Sequence, residues 1–230
     1  MRRKNSKRTL PWGKLLAVST IMIGAATLAQ AHDDDKDRGP TTTQNFDLTG
    51  FDAIDISGVY DAEILVGNDY SIRLEGSEKD MEHARVELDG KTLELGKVNG
   101  KSRWNNGHTI EAYITLPKLA ALDVSGVTDA LVTGVDSENF ELDVSGVADV
   151  IIDGSCGALE ADISGVSDIE AADFKCKSAD VDMSGVGDIT VFASESIDAD
   201  VSGVGDVVVY GSPKNIEKSV SKYTASLTIK

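Results

Sequence analysis

Regularly spaced carboxylates are the first candidates for chemistry in this 230-residue sequence. Acidic residues stand two and four positions before the serine of four successive copies of one motif: Glu141, Asp143, Glu160, Asp162, Asp180, Asp182, Asp198 and Asp200. Residues two apart in a strand point to the same side, so we expect all eight on the outer side of one sheet, here called the acidic face. Such hard oxygen ligands suit calcium better than zinc.

Two interpretations of the acidic face stay open. Carboxylates about 4.8 Å apart repel by roughly 0.9 kcal/mol per contact in water, which over the whole array favours cation binding without requiring it. The alternative is a solvated face that keeps an all-β protein soluble and discourages association between sheets. The Gly-Gly-x-Gly-x-Asp pattern of calcium-binding rolls is absent, so weakly bound calcium is the only cofactor under consideration.

A second set of aspartates follows each Ser-Gly-Val by two residues: Asp61, Asp129, Asp149, Asp168, Asp188 and Asp206. Their recurrence in every copy predicts a structural role, in which the carboxylate accepts local backbone N–H bonds at a bend. The motif serines predict a hydrogen-bonded stack, because no histidine recurs beside them as a general base would. No catalytic residue is predicted.

Cys156 and Cys176 lie 20 residues apart, and each stands eight residues before a motif serine. Equivalent positions on neighbouring coils should be near enough for a disulfide, and an exported protein favours oxidation. We therefore predict a structural disulfide between them.

The elements that position these groups follow from the motif itself. Asp-[Ile/Val/Met]-Ser-Gly-Val-x-Asp occupies residues 55–61, 123–129, 143–149, 162–168, 182–188 and 200–206. Apolar positions recur in register around it, as in Leu122, Val124, Val127, Ala130 and Val132. Alternation on both sides predicts two short strands per repeat, with a bend at Ser-Gly-Val where glycine tolerates unusual backbone angles. We predict an all-β, right-handed parallel β-helix-like solenoid with coils of about 20 residues and an irregular N-terminal half.

The chain divides into five predicted segments. A basic start, an apolar run and Ala29-Gln30-Ala31 predict a signal peptide over residues 1–31, cleaved after Ala31, with an uncleaved anchor as the alternative. An acidic disordered leader over 32–44 follows, where a His–Asp metal site is a minor alternative. We then predict N-terminal β coils over 45–118 with a short helical turn near 77–85, regular repeat coils over 119–211, and a capping segment over 212–230 with a final strand.

The charge balance restricts the partners. The chain has 22 basic and 39 acidic residues and a net charge of −17. The mature chain, without the six basic residues of the predicted signal peptide, has 16 basic and 39 acidic residues, a net charge of about −23. Nucleic acid is excluded because its phosphates would be repelled. The expected location is the periplasm, with the cell surface or secretion as alternatives, and no membrane span is expected after signal cleavage.

The motifs resemble those of a known family. Phe51-Asp52-Ala53-Ile54, Leu116-Pro117-Lys118-Leu119 and the Ser-Gly-Val coils are similar to the head GIN domain family, whose members carry the label putative auto-transporter adhesin. The resemblance covers roughly residues 45–215. It implies an exported bacterial envelope protein with a stacked β-helix-like fold, and it implies no catalytic residue.

Three functions are weighed on this basis. The first is a non-catalytic envelope domain for structure, adhesion or interaction, with an envelope or surface protein or a glycan as partner. The second is a calcium- or cation-dependent attachment module that uses the acidic face. A polysaccharide-degrading β-helix enzyme comes third, because the tight connections leave no walls for a groove and the acidic face lacks the basic residues that an acidic sugar requires.

Overall fold

The repeat region folds as a stack of parallel coils. The computed structural model describes residues 39–97 and 109–230, so the predicted signal peptide lies outside the described residues. The strands are β1 (Thr41–Phe46), β2 (Ala53–Ile56), β3 (Val59–Val66), β4 (Ser71–Ser77), β5 (Ala84–Asp89), β6 (Thr92–Lys97), β7 (Ile110–Leu116), β8 (Ala121–Val124), β9 (Val127–Val144), β10 (Val147–Ile163), β11 (Val166–Met183), β12 (Ile189–Val201), β13 (Gly205–Tyr210), β14 (Asn215–Val220) and β15 (Ala225–Ile229). A single turn of helix, α1 (Glu78–Met81), is N-capped by Ser77.

The repeats pair in the register that their spacing predicts. Strands β9, β10, β11 and β12 lie side by side and parallel, each on the equivalent residues of its neighbour. The solenoid has about five turns. Its core consists of columns of like residues; one column contains Val124, Val144, Ile163, Met183 and Val201, all buried. The solenoid prediction is therefore confirmed.

The motif valine differs from the other recurring apolar residues because it faces outward. Val127 and its equivalents in the next four copies are each about half exposed, whereas the following residue points into the core. That inward position holds Tyr60, then Thr128, Ala148, Ser167, Gly187 and Gly205 along the axis. The position thus contributes its largest side chain at Tyr60 and none in the last two copies.

Glycine is required at the Ser-Gly-Val bend for space rather than for an unusual backbone angle. None of the glycines of the Ser-Gly-Val bends has a positive φ. A Cβ added to Gly146 would lie 2.1 Å from the Gly126 carbonyl oxygen, and one added to Gly165 would lie 1.9 Å from that of Gly146. Stacked bends approach so closely that no side chain fits between them.

The N-terminal half extends the same stack out of sequence order. The coil β2–β3 lies between β6–β7 on one side and β8–β9 on the other, with parallel pairing to both. Beyond β6 and β7 the pairing becomes antiparallel, through β5 on one face and through β4 and β1 on the other. Residues 41–44, which the sequence assigned to the disordered leader, belong to strand β1 and pair with residues 74–77 of β4.

The C-terminal segment adds a last, partial coil. Strand β14 pairs with β12 and strand β15 pairs with β13, both parallel. Lys218 lies opposite the buried Ala199, so a lysine ends a column that is apolar in the preceding coils. Within the described ranges, no helix is long and apolar enough to cross a membrane.

Candidate functional site: an outward face of carboxylate columns

The acidic residues of the repeats form two columns on one outward face. The first, here called the aspartate column, contains the residue two before each motif serine, and the register pairs its members along the axis as Asp55, Asp123, Asp143, Asp162, Asp182 and Asp200. Glu94 continues it beyond Asp55. All eight residues of the predicted acidic face lie on this surface.

Sequence reasoning missed the N-terminal members of the aspartate column. Asp55 and Asp123 occupy the same motif position as Asp143, but alanine stands two residues before each of them instead of a second acid. The predicted acidic face included only the motif copies that have both acids, so Asp55 and Asp123 were not part of it. The motif position itself could have indicated Asp55 and Asp123. Glu94 lies outside any motif copy, so only the pairing of β6 with β2 shows that it continues the column.

The second column, here called the mixed column, contains the residue four before the motif serine. Glu141, Glu160, Asp180 and Asp198 pair in register, and Glu217 of β14 extends the column by one coil. It lines an open groove of about 780 Å³, together with small side chains such as Ala158, Ser178 and Ser196. The groove runs across the coils, so a bound partner would contact one acid per coil.

Burial, followed by mutual repulsion, raises the pKa of two carboxyl groups on this face. The pKa of Asp123 is raised to about 6, first by burial of its charge and then by repulsion from Asp55, Asp143 and Glu141. Burial, followed by repulsion from Asp198, Asp162 and Asp182, likewise raises the pKa of Asp180. Part of each shift in pKa is thus repulsion between carboxylates, which positive charge brought to the face would relieve.

Among the residues that the structure describes, arginine compensates the array only at its N-terminal end. The Arg85 guanidinium donates to Glu94 over 2.7 Å and to Glu87 over 3.3 Å. Burial and Glu94 raise the pKa of Asp55, and Arg85 partly opposes them. Across residues 39–97 and 109–230, no ion pair joins a basic side chain to the aspartate column from Asp123 to Asp200.

The columns spread carboxylates along the face rather than converging them. In the part of the chain that the structure describes, no group of three histidine, cysteine, aspartate or glutamate side chains is placed to hold one metal ion. The reason is geometric, because equivalent residues of neighbouring coils point outward in parallel, about 4.8 Å apart. Such an array can attract several cations or an extended cationic partner.

Two of the corner aspartates, Asp168 and Asp188, accept backbone hydrogen bonds from the next coil. Asp61, Asp129, Asp149 and Asp168 pair in register on the outward side of the strand segments that follow the Ser-Gly bend. In the last coils the Asp168 carboxylate accepts a bond from the Asp188 backbone N–H at 2.9 Å, and Asp188 accepts one from the Asp206 N–H at 2.9 Å. These bonds appear where Gly187 and Gly205 interrupt the regular strand pairing.

Cys156 and Cys176 lie opposite each other in the register of β10 and β11. Their Cα atoms are 4.4 Å apart, and a disulfide joins their sulfur atoms. Both residues are buried in the core, so the bond connects two neighbouring coils from the inside.

The fold and the surface define a class: an all-β solenoid whose outward residues repeat as charged columns. Residues 50–213 match the model of the family described as putative auto-transporter adhesin, head GIN domain. The chain belongs to this family, as the motifs predicted.

Solved structures show the same fold. A putative adhesin from Bacteroides fragilis is 23% identical with a TM-score of 0.67, and the match covers 83% of this chain and 97% of that one. A putative adhesin from Parabacteroides distasonis is 15% identical with a TM-score of 0.53, and covers 83% and 97%. No curated protein matches the chain.

Proposed function

We propose that this chain is a non-catalytic recognition domain of the bacterial cell envelope, which attaches to a positively charged partner through its acidic face. The observation behind the proposal is the aspartate column, in which the carboxylates from Asp123 to Asp200 stand in register and form no ion pair with any basic side chain that the structure describes. Membership of a family labelled as adhesins supports an exported or surface location. We place the domain in the periplasm or on the cell surface after cleavage of residues 1–31.

The distribution of the acidic groups favours binding over catalysis. Catalysis by carboxylates uses two groups with different environments at one place. Here the same pair of groups recurs from coil to coil. Repetition of this kind suits a ligand that is itself extended, such as a basic protein surface, because each coil adds an equivalent contact.

Long-range attraction is the expected contribution of the acidic face. A surface with one sign of charge raises the local concentration of an oppositely charged partner and its association rate, and salt weakens the effect. Attachment should therefore fall steeply as the ionic strength rises through the physiological range.

An attachment assay with matched charge variants tests the proposal. Beads coated with the purified protein are mixed with intact bacterial cells, and retained cells are counted at rising salt. The triple substitution Asp143→Asn, Asp162→Asn, Asp182→Asn should reduce attachment several-fold. The control Asp47→Asn, Glu63→Gln, Asp69→Asn removes the same charge from exposed positions outside the face and should retain attachment. Equal loss in both variants would refute a role for this face.

Calcium is a second candidate partner, favoured by the raised pKa of Asp123 and Asp180. A ligand bound only by the native state raises the melting temperature. Thermal melts in EDTA, in millimolar calcium and in millimolar magnesium should show no calcium-specific rise if the partner is a cationic macromolecule. A rise of several degrees with calcium alone, abolished by Asp162→Asn and Asp182→Asn, would establish the calcium-dependent module instead.

A further inference from the structure

The motif valines form an exposed apolar column that the core does not explain. Val59, Val127, Val147 and Val166 pair in register, and bridges continue the column to Val186 and Val204. The last five are between 47% and 54% exposed. Valine occupies this outward position in all six motif copies, whereas the inward position beside it ranges from tyrosine to glycine. We call this feature the valine column.

A shallow groove runs along the valine column at the Ser-Gly bend. It has a volume of about 650 Å³ and is lined by the Ser, Gly and Val of five coils, with Lys97 of the adjacent strand β6 at one end. The backbone of its floor is already bonded between coils, as in Val147 N–H to Gly126 O at 2.9 Å and Ser145 N–H to Val124 O at 2.9 Å. The groove therefore offers apolar contact and no row of free backbone groups, which argues against an added β-strand.

Carboxylates flank the groove on both sides. The corner aspartates follow the valines by two residues on the same face, about 7 Å away, and the aspartate column lies across the Ser-Gly bend. A second copy of this chain would bring its own two acidic rows against the two acidic rows that flank the groove, and the two copies would repel each other. An anionic amphiphile would be repelled for the same reason. Charge complementarity instead selects a partner whose apolar strip has cations on both edges.

We propose that the valine column and its two acidic rows form a docking groove for a basic amphipathic helix of a partner protein. A helix rises about 5.4 Å per turn, close to the coil spacing of about 4.8 Å, so apolar residues of successive turns can meet successive valines. Five coils span about 19 Å, the length of about 13 helical residues. The proposal rests on the proposed recognition function and specifies its partner.

Two peptides of equal composition test the apolar requirement. A fluorescein-labelled 14-residue amphipathic peptide of leucine and lysine is titrated with the purified full-length protein, and its anisotropy is followed at 0.05 M and 0.15 M NaCl. A scrambled peptide has the same charge without an apolar face. We expect the amphipathic peptide to bind at least tenfold more tightly than the scrambled one at both salt concentrations.

Protein variants test the location. The triple substitution Val147→Thr, Val166→Thr, Val186→Thr retains the β-branched shape at exposed positions, so the fold is preserved, which a melt verifies. This variant should bind the amphipathic peptide about tenfold more weakly than the natural protein does. The control Val208→Thr, outward on the same sheet but outside the column, should leave the affinity unchanged.

Three results would overturn the groove. They are equal affinity for the two peptides, unchanged affinity in the triple valine variant, and a dimer in sedimentation that the triple valine variant dissociates. The last would show that a second copy covers the column. If cell attachment depends on the aspartate column while the peptides fail these tests, the recognition function stands and only the docking groove is lost.

Discussion

Neutralising Asp123 should stabilise the fold near neutral pH. This carboxyl has its pKa raised from 3.8 to about 6, so the folded protein holds the proton more tightly than the unfolded chain does. The free energy of unfolding therefore falls as the pH rises from about 4 to about 6. Above pH 6 the full penalty of the charged form is present, and below pH 4 it is absent. Asp123→Asn removes the charge at every pH while retaining the size of the side chain.

The magnitude follows from the size of the shift. A rise of about 2 pKa units corresponds to about 3 kcal/mol. Asp123 is exposed at the surface, so solvent screening reduces this figure, and we expect about 1 kcal/mol. That gain raises the melting temperature of a domain of this size by about 2–4 °C.

Urea denaturation and thermal melts at pH 4 and pH 7.5 measure the effect. Asp123→Asn should be more stable than the natural protein at pH 7.5, and the difference should vanish at pH 4. Asp47→Asn, an exposed substitution outside both columns, should show no such pH-dependent gain. A destabilised Asp123→Asn at pH 7.5, or a gain that is equal at both pH values, would refute the electrostatic reasoning.

Three further predictions concern the stack itself. Gly146→Ala places a Cβ 2.1 Å from the Gly126 oxygen and should lower the free energy of unfolding in urea by about 3 kcal/mol. The control Gly76→Ala, with its nearest contact at 3.4 Å, should lower it by less than about 1 kcal/mol. Similar losses in the two variants would contradict the steric account. Thiol titration of the unfolded, unreduced protein should detect no free thiol from Cys156, and two thiols per chain would contradict the disulfide. Lys218→Val replaces the charge that ends an apolar column, a device that protects sheet edges, and should produce concentration-dependent association in sedimentation; a strictly monomeric variant would show that Lys218 does not protect this end.

The repeat made the stacked region predictable because register determines position. A spacing of 18 to 20 residues between motif serines places equivalent residues on adjacent coils, and this is sufficient to bring Cys156 beside Cys176 and Asp162 beside Asp182. The same logic failed for the coil that contains Asp55. It is separated from the next motif by more than 60 residues of sequence but lies directly beside it, because β4, β5, β6 and β7 are placed on its other side.

The outward valines were hidden by a similar limitation. Val127 recurs once per repeat, as do the apolar residues that enter the core, and recurrence alone does not distinguish an inward residue from an outward one. The alternation continues without a break through the Ser-Gly bend, from Val124 to Thr128 and Ala130, so Thr128 rather than Val127 points inward. Strand β14 was missed because its exposed, charged sequence lacks the strict alternation of the repeats, and only pairing with β12 makes it a strand.

Carboxylate footprinting during attachment tests the central proposal most directly. The protein is treated with a water-soluble carbodiimide and an amine label, free and while attached to cells, and the labelling of each carboxylate is measured by mass spectrometry. We predict protection of Asp143, Asp162 and Asp182 upon attachment, with Asp47 and Asp69 labelled equally in both states. Uniform labelling of all five, or protection confined to Asp47 and Asp69, would contradict recognition through the acidic face.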